Sequence, residues 1–318
     1  MGTRIAIAPT GSTSSSRGDK GAQQLFDKAH EAVVAGGGTV VALGDAEGLV
    51  WLDAGGAGLA DALDAAPAVR WVQLPWAGVE NIAATGAFRR AGITFTCAKS
   101  SFAGQVGEHA IMLTMAALRH VTEQARTRIW YQTEPESLEG KRVTILGAGG
   151  ITGRMLPFLR VAGCHVTVVR RSADSVEGAD RTVATADLDT VLPDTDVLAL
   201  ALALTPETTG IIDADRLALL PRHAVVVNVA RGRHIDTDAL VDALRHNRIR
   251  AAALDVTEPQ PLPDGHPLWS MDNVLITSHS ADSLAYVRER LAERITGNVR
   301  AFAEGRPLQG VVDPESGY

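Results

Sequence analysis

Short, wholly apolar runs alternate with longer stretches of helical periodicity along almost the whole chain. That alternation is the strongest constraint on the fold. A strand covered by helices on both faces reads as a continuous apolar run, whereas a strand with one wet face alternates apolar with polar. Val197-Leu-Ala-Leu200 and Ala224-Val-Val-Val-Asn228 are of the first kind. Parallel neighbours also need long crossover connections, and the helical stretches between the runs supply them. The chain therefore reads as an α/β protein with two doubly wound parallel sheets.

The alternation comes in two blocks. The first has apolar runs at residues 4–8, 39–43 and 69–74, with helical patterns at 20–35 and 59–65. A Gly/Ser/Thr-rich segment, residues 10–18, follows the first run and reads as a loop at a strand's carboxyl end. Residues 104–128 then read as one long helix leading away, with Val106, Ala110, Leu113, Ala117 and Val121 on one side. The second block has six runs, at 143–146, 165–169, 197–200, 224–228, 252–255 and 274–276, followed by a helix at 284–303. Six strands are the complement of a dinucleotide-binding sheet. The expected division is residues 1–99 with 283–318 for one domain and 100–282 for a nucleotide-binding Rossmann domain inserted into it, and 318 residues are enough for two such cores.

The segment Val143-Thr-Ile-Leu-Gly147-Ala-Gly149-Gly150-Ile151-Thr152-Gly153 runs from a buried strand through a glycine turn into a helix. Gly147 permits the tight turn, Gly149 lets backbone approach a pyrophosphate, and the helix start at Gly150 and Ile151 offers free N–H groups to the anion. Thr152 stands where a third glycine is usual. The second strand ends Val169-Arg170-Arg171-Ser172, where an acidic residue would hold the ribose 2′-OH of NAD. Two guanidinium groups and a hydroxyl suit a 2′-phosphate instead, so NADP(H) is the preferred cofactor and NAD(H) the alternative.

From here the chain resembles the D-isomer-specific 2-hydroxyacid dehydrogenases over most of residues 70–303. Leu74-Pro-Trp76-Ala77-Gly78-Val-Glu-Asn81 is similar to the family loop whose backbone N–H groups hold the substrate carboxylate. Val106-Gly-Glu-His109 resembles Val-Ala-Glu-His, where the valine lies against the nicotinamide. Leu202-Ala-Leu204-Thr205-Pro206-Glu-Thr208 is similar to the cofactor-lining Leu-Pro-Leu-Thr-Pro-Glu-Thr, with Ala203 for one proline. Asn228-Val229-Ala230-Arg231-Gly232 matches Asn-x-x-Arg-Gly, which implies that Val229 and Ala230 line the cofactor and that Arg231 binds the substrate carboxylate and polarises its 2-keto group. Leu254-Asp255-Val256 implies an aspartate on the nicotinamide carboxamide. Thr277-Ser-His279-Ser-Ala281 is similar to Thr-Pro-His-x-Ala and makes His279 the proton donor. The resemblance also implies a flavodoxin-like substrate domain beside the Rossmann domain, and a homodimer whose contact uses the long helix and residues 126–130.

One family residue is replaced. The family pairs its histidine with a glutamate in Leu-Asp-Val-Phe-x-x-Glu-Pro, and counting from Asp255 puts Gln260 at that position; Glu258, also followed by proline, is the other candidate. A carboxylate favours imidazolium, whereas an amide offers a hydrogen bond without charge. The expectation is slow keto-acid reduction with an acid-shifted optimum. Similar Pro-Gln-Pro segments occur in formate dehydrogenases, so proton-free hydride transfer is one alternative, and a redox-sensing NAD(P)-binding protein with weakened catalysis is another. The remaining histidines carry no assigned chemistry: His109 reads as an ordinary helix residue, and His30, His120, His223, His234, His246 and His266 as solvated surface.

Composition closes off other classes. A net charge of -7 argues against nucleic acid or anionic membrane as a partner. Two cysteines, Cys97 and Cys164, make neither a disulfide framework nor a zinc site, no metal is expected, and a reducing cytoplasm is the natural setting. The first residues lack a signal-peptide pattern and the longest apolar run, at 197–204, is too short for a bilayer. The expected function is an NAD(P)-dependent oxidoreductase acting on a small D-2-hydroxy or 2-keto acid, glyoxylate or hydroxypyruvate being usual family substrates.

Overall fold

The computed structural model describes residues 2–8, 18–53, 55–130, 132–315 and 317–318. Its residues fall into two units, one of residues 1–102 with 283–318 and one of the continuous stretch 103–282. The segment at 10–18 lies outside the described residues except for Gly18, the first residue of a helix.

In the first unit, β1 (Thr3–Ala8), β2 (Gly38–Val40), β3 (Gly48–Trp51), β4 (Trp71–Gln73) and β5 (Thr94–Thr96) form one sheet. Its strand order is β2-β1-β3-β4-β5 and every pairing is parallel. This is the flavodoxin order, reversing direction between β1 and β3. Strands β3 and β5 are additions to the sequence reading. In β3 a Cβ on Gly48 would lie 2.8 Å from Ile5 and 2.9 Å from Trp71, so close strand packing asks for a residue that weakens the strand pattern. Helices α1 (Gly18–Ala35), α2 (Leu59–Asp64) and α3 (Glu80–Ala83) connect the strands.

Under the last helix of this unit a polar cluster is closed from water. Trp71 Nε1 donates to Thr96 Oγ1 at 2.8 Å, Thr96 Oγ1 lies 2.9 Å from Gln73 Oε1, and Asn298 Nδ2 donates to the same oxygen at 2.8 Å. Asn298 also receives the Gln309 N–H at 2.8 Å and gives one to the Gln309 carbonyl at 2.9 Å. Gln73, Thr96 and Asn298 are all 0% exposed, so every one of these bonds replaces a bond to water.

The second unit opens with α4 (Ala103–Leu118) and α5 (Val121–Arg126). The single long helix expected over 104–128 is thus broken: His120 takes a left-handed conformation with φ 54°, which no helix interior accommodates. There follow β6 (Arg142–Leu146), α6 (Gly150–Val161), β7 (His165–Arg170), β8 (Arg181–Ala184), β9 (Val197–Leu200), α7 (Ala214–Leu219), β10 (Val225–Asn228), α8 (Thr237–Arg245), β11 (Ala251–Leu254) and β12 (Val274–Ile276). The sheet order is β12-β11-β10-β9-β6-β7-β8, all parallel. Seven strands replace the six expected; β8 is the edge strand that the apolar pattern did not mark. The order reverses between β6 and β9, which is where doubly wound sheets bind ligands, at the strands' carboxyl ends. Chain returns to the first unit with α9 (Leu284–Ala303), capped by Ser283 and packed on α1.

Candidate active site

At the switch point, Gly147 follows β6 with φ 106°, and a Cβ there would stand 2.4 Å from the Ala201 carbonyl oxygen beyond β9. Only glycine fits. The next turn leads into α6, whose N-cap is Gly149; a Cβ built on Gly149 meets no atom within 4 Å, so the space before the helix is open. No side chain caps the helix, which leaves its first N–H groups, on Gly150 and Ile151 among others, pointing into that space. Thr152, in place of a third glycine, is 0% exposed and donates its hydroxyl to the Gly147 carbonyl at 2.7 Å. The side chain thereby fastens the turn. These features fit a dinucleotide's pyrophosphate.

The neighbouring strand ends bring the other singled-out residues together. Arg170 closes β7, half-buried, and Arg171 is exposed beside it. Ser172 donates its hydroxyl to Asp174 at 2.6 Å. After β9, Thr208 donates its hydroxyl to the Ala203 carbonyl at 2.8 Å and receives the Thr205 N–H at 2.8 Å, which shapes the loop containing Leu204, Thr205 and Pro206. The Thr205 hydroxyl and the Glu207 backbone N–H lower the Glu207 carboxyl from its ordinary value, with a smaller contribution from the Arg171 charge.

Beyond β10, buried Asn228 clamps the turn carrying Arg231: its Oδ1 accepts the Ala230 N–H at 3.0 Å and its Nδ2 donates to the Arg231 carbonyl at 2.8 Å. Val229 and Ala230 are buried in this turn. The Arg231 guanidinium donates to the Ala230 carbonyl at 2.7 Å through one of its five N–H groups. Gly232 presses on the loop after β11, because a Cβ there would lie 2.0 Å from the Thr257 carbonyl oxygen.

Asp255 follows β11 and is 2% exposed. Its Oδ1 accepts from the Thr277 hydroxyl at 2.5 Å and the Ser280 N–H at 3.0 Å, and His109 Nε2 is 3.2 Å away. Its carbonyl takes the N–H of His279 at 2.8 Å. His279 has φ 51°, a left-handed conformation that this set of bonds to Asp255 sustains. The Gln260 amide nitrogen lies 2.9 Å from His279 Nδ1. Both side chains are exposed. An amide meets either form of the ring, giving N–H to a neutral Nδ1 or, turned over, accepting Nδ1–H, so it carries no preference for the charged imidazole. The Glu258 position serves differently: its carbonyl accepts the Thr237 hydroxyl at 2.8 Å. Near Asp255, burial and the Asp255 charge push the Asp282 carboxyl up to about 6.

Val106 and His109 belong to the first turns of α4. His109, largely buried on α4, bonds the Thr277 hydroxyl at 3.0 Å and so joins the Asp255 cluster. His234 is a correction to the sequence reading: it is 0% exposed, not solvated, and touches Arg231 and Ala203. No local pattern marks either; their partners lie 168 and 31 residues away in the chain.

In the first unit, Trp76, Ala77 and Gly78 follow β4 and precede α3. The Trp76 carbonyl accepts the Ala98 N–H at 3.0 Å, and the indole packs at 6.4 Å from the Phe102 ring. A cavity of about 710 Å³ in the second unit lies at the other end of its sheet, by Arg222, Arg250 and Asn273, where Arg250 is already paired with Glu136. Among the described residues no cluster of three or more metal-ligating side chains occurs, and no helix is long and apolar enough to cross a membrane.

Residues 109–281 match the family model described as D-isomer specific 2-hydroxyacid dehydrogenase, NAD binding domain. A glyoxylate reductase of Thermofilum pendens is 33% identical over 80% of this chain and 78% of its own. Among solved structures, a D-isomer specific 2-hydroxyacid dehydrogenase of Xanthobacter autotrophicus in complex with NADPH superposes with a TM-score of 0.82 at 27% identity, covering 100% of both chains. An NADPH-dependent glyoxylate/hydroxypyruvate reductase of Sinorhizobium meliloti in complex with NADP gives 0.77 at 25% identity, over 99% of this chain and 100% of that one.

Proposed function

The chain belongs to the D-isomer specific 2-hydroxyacid dehydrogenase family, and on that premise we propose residue roles for its reaction. It is an NAD(P)-dependent oxidoreductase that moves hydride between a nicotinamide cofactor and a small 2-hydroxy or 2-keto acid. The sensor and the proton-free alternatives raised by Gln260 are not favoured by relatives that are reductases.

The bound cofactor supplies or accepts the hydride. Gly147, Gly149, Gly150 and Ile151 hold its pyrophosphate by backbone approach and free N–H groups. Val106, Leu204, Thr205, Pro206, Val229 and Ala230 line it, and Asp255, fixed by the Thr277 hydroxyl and the Ser280 N–H on one oxygen, accepts from the carboxamide. Arg170, Arg171 and Ser172 bind a 2′-phosphate, which makes NADP(H) the preferred form; relatives bound to NADPH and NADP support this. The N–H groups at Trp76, Ala77 and Gly78 bind the substrate carboxylate as a nest. Arg231 binds the acid and polarises its 2-keto oxygen, where negative charge grows as reduction proceeds. His279 delivers the proton to that oxygen from Nε2 while Gln260 holds Nδ1.

The observation that carries this reading is the convergence of Arg231, Asp255, Gln260 and His279 at the carboxyl ends of β10, β11 and β12. Its test is oxidation of NADPH and NADH with glyoxylate and hydroxypyruvate between pH 5 and 8, using wild type and Arg171→Ala. Turnover that rises toward acid, prefers NADPH, and loses about tenfold in NADPH kcat/KM but little with NADH in the variant is expected, from loss of a charge-assisted bond. Absence of turnover with both acids and both cofactors overturns the substrate class; equal loss with NADH overturns the role of Arg171.

The assembly we propose is a homodimer. Ile129 and Trp130, 72% and 99% exposed, follow α5, and Met112 and Met115 stand exposed on α4, an apolar surface of the kind that subunit contacts cover. A monomeric mass by light scattering overturns it. Two buried free thiols suit a reducing cytoplasm.

A further inference from the structure

His234 is the one imidazole of the second unit shut completely from water, at 0% exposure, among the described residues. It belongs to the turn that carries Arg231, and its two ring nitrogens reach two different segments. The Arg231 N–H donates to Nδ1 at 3.2 Å, and Nδ1 is 3.0 Å from the Arg231 carbonyl. Nε2 is 3.2 Å from the Ala203 carbonyl, which the Thr208 hydroxyl also meets. With the proton on Nε2, both contacts are satisfied at once: the ring accepts from Arg231 and donates to Ala203. With the proton on Nδ1, the ring still binds Arg231, through its carbonyl. A buried imidazole costs more to desolvate than an aliphatic side chain of that size, so its retention here is explained by those bonds and not by filling space.

We propose that His234 is a positioning residue, fixing through Nδ1 the backbone from which the Arg231 guanidinium extends, with its Nε2 contact to Ala203 serving to orient the ring. The inference rests on the reading of Arg231 as the cation that binds and polarises the keto acid. Asn228 grips the same turn from its other side, so Arg231 is set by two buried polar side chains, one local and one reaching across to the next strand's loop. A guanidinium displaced by a fraction of an ångström still attracts a carboxylate but no longer lines up with the keto oxygen.

The test compares three substitutions and scores keto-acid kcat and KM, NADPH Kd by fluorescence, and Tm. His234→Asn places an acceptor where Nδ1 stands and keeps the Arg231 contact; His234→Gln extends to the Nε2 position and keeps the Ala203 contact; His234→Phe keeps neither. The expected result is a fall of about tenfold in keto-acid kcat/KM, carried mainly by kcat, for Phe and Gln, with recovery to within about threefold in Asn and NADPH Kd within about threefold throughout. Should Phe not fold, the contrast of Gln with Asn decides. Equal kcat/KM in Gln and Asn, or losses that follow NADPH Kd and Tm alone, overturns the positioning role. Arg231→Ala runs beside them: if it keeps wild-type kcat/KM, the reading of Arg231 itself fails, which the His234 variants alone would not show.

Discussion

Replacing Gln260 by glutamate puts a negative charge at the 2.9 Å contact with His279 Nδ1. Two unit charges about 4 Å apart interact by about 1 kcal/mol in water and about 4 kcal/mol near a partly desolvated surface. Both side chains are exposed, so the lower half of that range applies, and an attraction of about 2 kcal/mol favours the charged imidazole by about thirtyfold. At a pH where the wild-type ring is mostly neutral, its protonated share grows by up to that factor; at a pH where the ring is already mostly protonated, the share hardly changes. The assay is keto-acid reduction by Gln260→Glu and wild type from pH 5 to 9. The expected gain in kcat/KM is about tenfold or more at the alkaline end and almost none at the acid end, because only the proton donor's population changes. The reverse reaction, which needs neutral His279 as base, slows wherever the added charge keeps the ring protonated. Superimposable pH profiles in both directions would refute the reasoning, since the charge would then be silent at the proton donor.

Gly232→Ala drives a methyl into the Thr257 carbonyl, 2.0 Å from the added carbon; a loss of about 3 kcal/mol in urea unfolding is expected, and an unchanged midpoint would contradict it. Asp282 has a folded-state pKa raised from 3.8 to about 6. Between those values the folded chain keeps a proton that the unfolded chain has released, so stability falls as pH rises through this window and stays lower above it. Asp282→Asn therefore stabilises by about 1–2 kcal/mol at pH 7.5, discounted for partial solvent access, and by nothing below pH 4; a gain that is the same at both pH values would show that charge is not the cause.

Strands β6, β7 and β9 to β12 were legible because helices on both faces demand unbroken apolar runs. Strand β8 was not, since at an edge its Arg181-Thr-Val-Ala184 need bury only Val183 thoroughly. Strand β5, three residues with one threonine exposed, is below the length at which alternation speaks. At the site, Gln260 was found by counting, because the Leu-Asp-Val anchor and the prolines after it fix the register. Thr152 is visible as a departure, yet its compensating bond to Gly147 forms only when the strand and helix fold together. His234 sits in Arg-Gly-Arg-His, a polar string whose burial arises only when Ala203 arrives from another loop.

The buried cluster of Trp71, Gln73, Thr96 and Asn298 ties together pieces of chain made at very different times. Asn298 is 225 residues downstream of Gln73. As the chain leaves the ribosome, the amino-terminal strands appear first, but the Gln73 side chain lacks its partner Asn298 until the last helix is translated. The stretch 103–282, being continuous, has its last strand, β12, in place before α9 begins. Domains fold as units as synthesis proceeds, so the inserted unit is expected to mature first and the first unit last. A chain halted after Asp282 would hold a complete second unit and, upstream of it, a sheet with all its strands but without its last helix, for a chaperone to shelter.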